Sequence, residues 1–253
     1  MATYNYIIRA MGEYVAKCSH RLTLTKKITN SFNKFHEETC GNKIRKTEKA
    51  FITDAEGNPI YEKNGKKDKV EFHKKTLMDL YEEYGELYVT HNHPRFIGKD
   101  SKREIAECLS VADISFVLDK DGVPNGHGGM DEAFLVKSIS CESANGSRMT
   151  FTRGDFYKEE NNSKVMSIAR DLDKAYWNYM DDYYSSEHAN LSKYMETMSY
   201  EEACQKVDKD FIEAKGRFEQ TTEFKNLQKR FRDYDCRVEI NYPYTYQTNH
   251  AVF

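Results

Sequence analysis

The chain has 253 residues, of which 39% are hydrophobic and 31% are charged, with 13 glycines and 4 prolines. This composition excludes collagen-like and low-complexity proteins and predicts one or two compact domains. Lysine and arginine total 38 against 41 aspartates and glutamates, a net charge of -3. Because a dedicated nucleic-acid-binding protein carries an excess of positive charge, no nucleic-acid partner is expected.

We expect neither a transmembrane segment nor an export signal in this sequence. No run approaches the roughly 18 apolar residues that a membrane span needs, and residues 1–15 lack a basic segment followed by a continuous apolar one. The six cysteines are scattered without a CxxC pair, so neither a zinc ribbon nor a dense disulfide framework is indicated. We expect a cytoplasmic protein with reduced thiols and no membrane partner.

The first 90 residues change from a helical to a mixed pattern. Apolar residues recur at steps of three and four from Ile7 to Cys18 and from Leu24 to Phe35, which predicts two amphipathic helices. The sequence DAEGNP then separates two apolar segments and predicts a hairpin turn. We predict strands at 50–53, 60–61, 70–72 and 87–90, and a helix at 76–84 that ends at Gly85.

The second half of the chain becomes increasingly helical. A helix is predicted to start at Ser110 and to continue through the apolar run Ile114–Leu118, and residues 120–129 are predicted to form a glycine-rich loop. Strands are expected at 133–139 and 149–151, with a possible strand at 237–240. After about Gly154 we predict a helix with an apolar stripe from Val165 to Tyr183, a helix that begins with a Ser199–Glu202 capping box, and a short helix at 224–231.

Two histidines follow the predicted strand at 87–90. Because side chains alternate along a strand, His91 and His93 are expected on one face of the sheet. Two imidazoles and one carboxylate, with a fourth position open to water, form the ligand set of a hydrolytic zinc site. Asp113 is the best candidate for the third ligand because it lies in the first turn of a predicted helix, with Ser110 placed to face the same pocket.

A hydrolytic site also needs a general base. Glu48 stands just before the first core strand and reaches such a site only if that strand lies beside residues 87–90. This adjacency does not follow from the sequence alone.

These residues follow a known order. The string THNHP, the later SxxD and a glutamate ahead of an upstream strand resemble the JAMM motif of JAB/MPN-type metallopeptidases. Residues 46–153 are similar in layout to JAB-like proteins of bacteriophages and mobile elements. The resemblance implies that His91, His93 and Asp113 bind a zinc ion (Zn2+), that Glu48 polarises the water, and that Ser110 helps to stabilise the oxyanion.

The resemblance also implies a fold and a reaction. The fold class is α/β, with a JAB/MPN-like (cytidine-deaminase-like) curved mixed sheet flanked by helices. On this interpretation residues 1–45 form N-terminal helices packed on the core, 46–153 the JAB-like domain, and 154–253 a helical C-terminal region. The reaction is hydrolysis of amide or isopeptide bonds in a protein or peptide substrate.

The spacing of this sequence departs from the family pattern. Fifteen residues, 95–109, separate Pro94 from Ser110 and imply an insertion beside the site that acts as a lid or specificity loop. A competing alignment takes Ser101 and Glu104 as the serine and the acidic ligand. We favour Ser110 and Asp113 because the acid is then an aspartate, and because the following ISFVL can pack as a core helix whereas SKREIAEC is more polar.

Two other classes of function stay open. A non-catalytic scaffold or assembly protein of the same fold would keep the sheet and bind no metal. An HNH-type nuclease is suggested by the letters HNH alone, and the pI near 6.3 and the strand placement weigh against it.

Overall fold

The computed structural model describes residues 26–35, 47–66, 69–93, 96–97, 103–104, 109–124, 129–142, 148–203, 206 and 217–241. The strands are β1 (Lys49–Thr53), β2 (Pro59–Asn64), β3 (Leu87–Asn92), β4 (Phe96–Ile97), β5 (Arg103–Glu104), β6 (Lys120–Pro124), β7 (Met130–Phe134), β8 (Val136–Glu142), β9 (Arg148–Arg153) and β10 (Cys236–Asn241). The longer helices are α1 (residues 26–35), α2 (Lys74–Tyr84), α3 (Val111–Leu118), α4 (Asn162–Met195) and α5 (Thr222–Arg232). Glu159–Asn161 forms a 3-10 turn, and residues 200–203 and 217–220 are also helical.

Six strands form one mixed sheet in the order β10-β9-β8-β3-β1-β2. Among the described strands of this sheet, β3 and β8 form the parallel pair and the other neighbours are antiparallel. The pairs β4–β5 and β6–β7 form separate two-stranded sheets. The architecture is therefore mixed α/β, with a mostly antiparallel sheet flanked by helices, and this confirms the expected α/β class.

One face of the sheet carries the main hydrophobic core. The strand registers align a row of buried residues across five strands: Val238, Phe151, Ile139, Val89 and Ile52. Helices α3, α4 and α5 contribute buried apolar side chains to the same cluster, and the Phe231 ring of α5 lies 5.6 Å from the Phe151 ring. The next row along the strands reads Ile240, Met149, Cys141, His91 and Ala50.

The opposite face is packed differently. Phe51 of β1 contacts α1 through Phe32 and Phe35, at ring distances of 5.0 and 5.2 Å. Farther along this face the side chains are polar, as in the hydrogen bond of 2.9 Å between the hydroxyls of Ser140 and Thr150. Because apolar and polar residues alternate along each strand, His91 lies on the core face, which the helices cover.

Local sequence signals explain where several elements begin and end. Gly85 ends α2 with a positive φ of 78°, which a glycine adopts without strain. The Thr221 hydroxyl caps α5 by accepting a hydrogen bond of 3.1 Å from the Phe224 amide. The predicted capping box is confirmed in the bonds that join Ser199 and Glu202.

Much of the predicted element order is confirmed. The β1–β2 hairpin, α2, β3, the start of α3, β9, α5 and β10 occur where the patterns indicate them. The predicted helix at 7–18 lies outside the described residues. The region from 154 onward contributes helices α4 and α5, and its last described strand, β10, forms an edge of the main sheet through pairing with β9.

Three predictions of local structure were wrong. Residues 70–72 are not in a strand; the Phe72 ring stacks on Phe116 at 5.8 Å, so this segment is held by side-chain packing. Residues 120–124 of the predicted loop form β6, because a two-stranded ribbon tolerates the glycine and proline that a central strand excludes. The predicted strand at 133–139 breaks at Leu135, whose carbonyl accepts a hydrogen bond of 3.0 Å from the Leu87 amide of β3.

Across the residues that the structure describes, none of the helices combines the length and the hydropathy needed to cross a membrane.

Candidate metal centre

The candidate site lies at the carboxyl ends of the two parallel strands. His91 of β3 is directly opposite Cys141 of β8 on one side and opposite Ala50 of β1 on the other. Residues opposite one another on neighbouring strands share a face of the sheet. The pairing therefore brings a histidine and a cysteine together beneath the helical layer.

Helix α3 carries the acidic residue to this edge. Ser110 is its N-cap and forms a capping box with Asp113: the Ser110 hydroxyl accepts from the Asp113 amide at 3.2 Å and donates to Asp113 Oδ2 at 2.8 Å. The Ser110 amide also donates to Oδ2, at 2.7 Å. These bonds fix the carboxylate, with Oδ1 facing His91 and Oδ2 facing His93.

The two imidazoles and the carboxylate converge. His91 Nε2 and His93 Nε2 lie 3.0 Å apart, His91 Nε2 lies 3.3 Å from Asp113 Oδ1, and His93 Nε2 lies 3.6 Å from Asp113 Oδ2. Zinc bonds of about 2.0–2.1 Å in a tetrahedron place neighbouring nitrogen and oxygen ligands about 3.3 Å apart. The three observed distances lie within about 0.3 Å of this value, although the two that involve Asp113 are measured to different oxygens, so the donor set is compatible with a zinc ion.

The cluster is buried and its hydrogen bonding is incomplete. The side chains of His91, His93 and Asp113 are 2%, 13% and 16% exposed. Nδ1 of each imidazole is buried and has no hydrogen-bond partner within the described part of the chain. An unsatisfied buried polar atom costs about 1–3 kcal/mol. Because the Nε2 atoms are the ones that face Asp113, a metal bound there would leave these two Nδ1 atoms as they are.

The electrostatics of the cluster favour a negatively charged Asp113 and a positively charged His91. Burial alone raises the pKa of Asp113, but the neighbouring His91 and His93 imidazoles outweigh it and hold that pKa well below its usual range. Burial alone lowers the pKa of His91, and the Asp113 carboxylate outweighs it, so the His91 pKa is raised. A carboxylate that faces two imidazoles at 3.3 and 3.6 Å attracts a positive charge between them, which a metal cation would also supply.

Glu48 lies close to this edge of the sheet. It precedes β1, which pairs with β3 as the general-base hypothesis requires. Ala50 is opposite His91 and comes two residues after Glu48, so alternation along the extended backbone places Glu48 on the same side of the sheet as Ala50 and His91. Glu48 is 7% exposed, and its backbone is bonded to Lys66 and Gly65 of the β1–β2 hairpin.

Cys141 is the member of the cluster that the sequence analysis missed. It is fully buried, and one ligand atom from each of His91, His93 and Cys141 lies within 4.8 Å of the others. Burial raises the pKa of the Cys141 thiol, but the His93 and His91 imidazoles together outweigh burial, and the net pKa is lowered. The alternation of Ile139 and Cys141 with polar residues in β8 is the signal that could have found Cys141, but the pairing of β8 with β3 is not readable from the sequence.

The structure does not test the competing alignment. Ser101 lies outside the described residues, and of Glu104 the structure describes only the backbone, in β5. The helix start that the favoured alignment requires is present, with Ser110 and Asp113 at the positions expected of them.

Replacing Ser110 with alanine should lower the free energy of unfolding by about 1 kcal/mol, because the Asp113 amide loses its cap. Urea unfolding of the metal-free protein measures this change. Ser115→Ala, in the middle of the same helix, is the matched control and should be nearly neutral. Equal stability of the two variants would show that the capping box contributes little to the fold.

The sequence matches no protein-family model, and searches of curated proteins and of solved structures gave no match.

Proposed function

We propose that this protein is a zinc-dependent hydrolase of amide or isopeptide bonds with a JAB/MPN-like fold and a JAMM-type site. The observation that carries the proposal is the convergence of His91 Nε2, His93 Nε2 and Asp113 within 3.0–3.6 Å. Two imidazoles and one carboxylate are the protein ligands of many hydrolytic zinc sites. Zinc held there supplies Lewis acidity, which makes water a better nucleophile near neutral pH.

The other residues then have distinct roles. Glu48, on the same face of the sheet, accepts the proton of the attacking water and returns it to the leaving amine. Ser110 donates a hydrogen bond to the oxyanion of the tetrahedral intermediate. In the structure this hydroxyl donates to Asp113 Oδ2, so rotation about its C–O bond is required before it can act.

Metal content tests the proposal most directly. Protein purified without added metal should contain about one zinc per chain, since the three ligands define one site. Asp113→Ala should lose the zinc and Glu104→Ala should retain it, as measured by mass spectrometry. Loss with Glu104→Ala instead would support the competing alignment through Ser101 and Glu104.

Activity tests the second half of the proposal. The zinc-loaded protein should hydrolyse members of a peptide and isopeptide panel, should be inactivated by a chelator, and should recover when zinc is restored. A protein that binds no zinc even after its addition would contradict the proposal and would support a non-catalytic scaffold of this fold.

A further inference from the structure

Cys141 lies at the buried side of the candidate metal centre. It is opposite His91 in the parallel register of β3 and β8, and the cysteine and the two histidines have ligand atoms within 4.8 Å of one another. Cys141 is fully buried and the His91 side chain is 2% exposed, whereas His93 and Asp113 lie on the more open side, at 13% and 16%. A metal ion bound by the histidines would therefore have the sulfur beneath it.

The position of Cys141 is unsuited to the other common roles of a cysteine. A fully buried sulfur is not accessible to a peptide carbonyl, which argues against a nucleophile. Cys236 is the other cysteine whose side chain the structure describes. It pairs with Arg153 on β9 whereas Cys141 pairs with Met149, so one strand and four residues separate the two thiols. This separation exceeds the reach of a disulfide, about 4.4–6.8 Å between Cα atoms.

We infer that Cys141 is a fourth protein ligand of the metal and that it closes the site in its resting state. A zinc–sulfur bond of about 2.3 Å and zinc–nitrogen bonds of about 2.0 Å place sulfur and nitrogen about 3.6 Å apart in a tetrahedron. The ligand atoms of His91, His93 and Cys141 lie within 4.8 Å of one another, so the longest of these separations closes by about 1.2 Å to reach this geometry. The inference rests on the proposed function, since both require a metal at this cluster.

Charge balance supports the same conclusion. A divalent cation bound by two neutral imidazoles and the Asp113 carboxylate keeps a net charge of +1 in a buried site, which is costly in a low dielectric. A thiolate at Cys141 would bring the net charge of the centre to zero. A second anionic ligand also lowers the Lewis acidity, and four protein ligands fill a tetrahedral site, so hydrolysis requires Cys141 to leave or the metal to become five-coordinate.

Cobalt substitution detects the sulfur directly. The Co2+-loaded wild-type protein should show thiolate-to-cobalt charge-transfer absorption in the near ultraviolet, and Cys141→Ala should lose this band. Zinc affinity, measured by competition with a chromophoric chelator, should fall by roughly 10- to 100-fold or more in Cys141→Ala. Loss of an outer-shell partner alone has an effect of that size. Cys236→Ala is the matched control; burial raises the pKa of Cys236 to about 12, and its loss should change neither the band nor the affinity.

The outcomes separate this inference from the proposed function. The inference is overturned if the wild-type protein binds cobalt and zinc but shows no charge-transfer band, and if Cys141→Ala keeps the wild-type zinc affinity. The hydrolase proposal would then still stand. No metal binding by the wild-type protein overturns both. Should Cys141→Ala fail to fold, Cys141→Ser keeps the size of the side chain and must still lose the band. Per bound zinc, hydrolysis should rise in Cys141→Ala, and a fall would overturn the closing role.

Discussion

Replacing His91 with alanine is expected to abolish zinc binding, with a loss of affinity on the order of a hundredfold or more, since removing an outer-shell partner alone costs about 10- to 100-fold. His91 Nε2 lies 3.0 Å from His93 Nε2 and 3.3 Å from Asp113 Oδ1. His91 is also the most buried of these three side chains. Zinc per chain, measured by mass spectrometry, should fall from about one to near zero.

His73→Ala is the matched control for this substitution. His73 is exposed at the N-cap of α2, where its side chain makes no capping hydrogen bond, so its loss should leave the zinc content unchanged. Urea unfolding of the metal-free proteins should separate metal loss from misfolding, since a folded His91→Ala protein unfolds in one cooperative transition. Retention of about one zinc by a folded His91→Ala protein would remove His91 from the ligand set.

The parts of the site that were predicted from the sequence depend on short sequence distances. His91 and His93 are two residues apart, so alternation along a strand is enough to assign them to one face. Ser110 and Asp113 are three residues apart, and a capping box defines both their geometry and the helix start. In each case the physical rule acts within one turn of helix or one repeat of a strand.

The part that was missed depends on long-range pairing. Cys141 joins the histidines because β8 lies parallel to β3 with Cys141 opposite His91. Nothing in residues 136–142 specifies this neighbour or this register, since a parallel pair forms only after a long crossover connection. The same crossover contains β6 and β7, and there the glycine and proline of residues 120–124 were interpreted as a loop, although a two-stranded ribbon tolerates them.

The position of Glu48 combines both kinds of information. Its place just before a strand follows from the apolar pattern, and its relevance depends on β1 lying beside β3, which the structure contains. Both backbone groups of Glu48 are bonded within the β1–β2 hairpin, to Lys66 O at 2.8 Å and from Gly65 N at 2.8 Å. A change confined to its side-chain charge should therefore leave the local backbone intact.

Replacing Glu48 with glutamine should lower the turnover number by about 100- to 10,000-fold, the usual contribution of a general acid–base group, while about one zinc per chain is retained. Glutamine has the size of glutamate but does not accept the proton of the attacking water. Hydrolysis of the best substrate in the panel, normalised to bound zinc, measures the effect.

Glu62→Gln provides the control for Glu48→Gln, because Glu62 is opposite Phe51 and so lies on the other face of the sheet; its activity should match that of the wild type. Normal turnover in Glu48→Gln would exclude Glu48 as the base. Loss of zinc together with activity would instead assign Glu48 to metal binding or to the structure of the site. The general-base role requires that Glu48→Gln lose turnover and keep its zinc. It also requires that Glu62→Gln, on the other face of the sheet, keep its turnover.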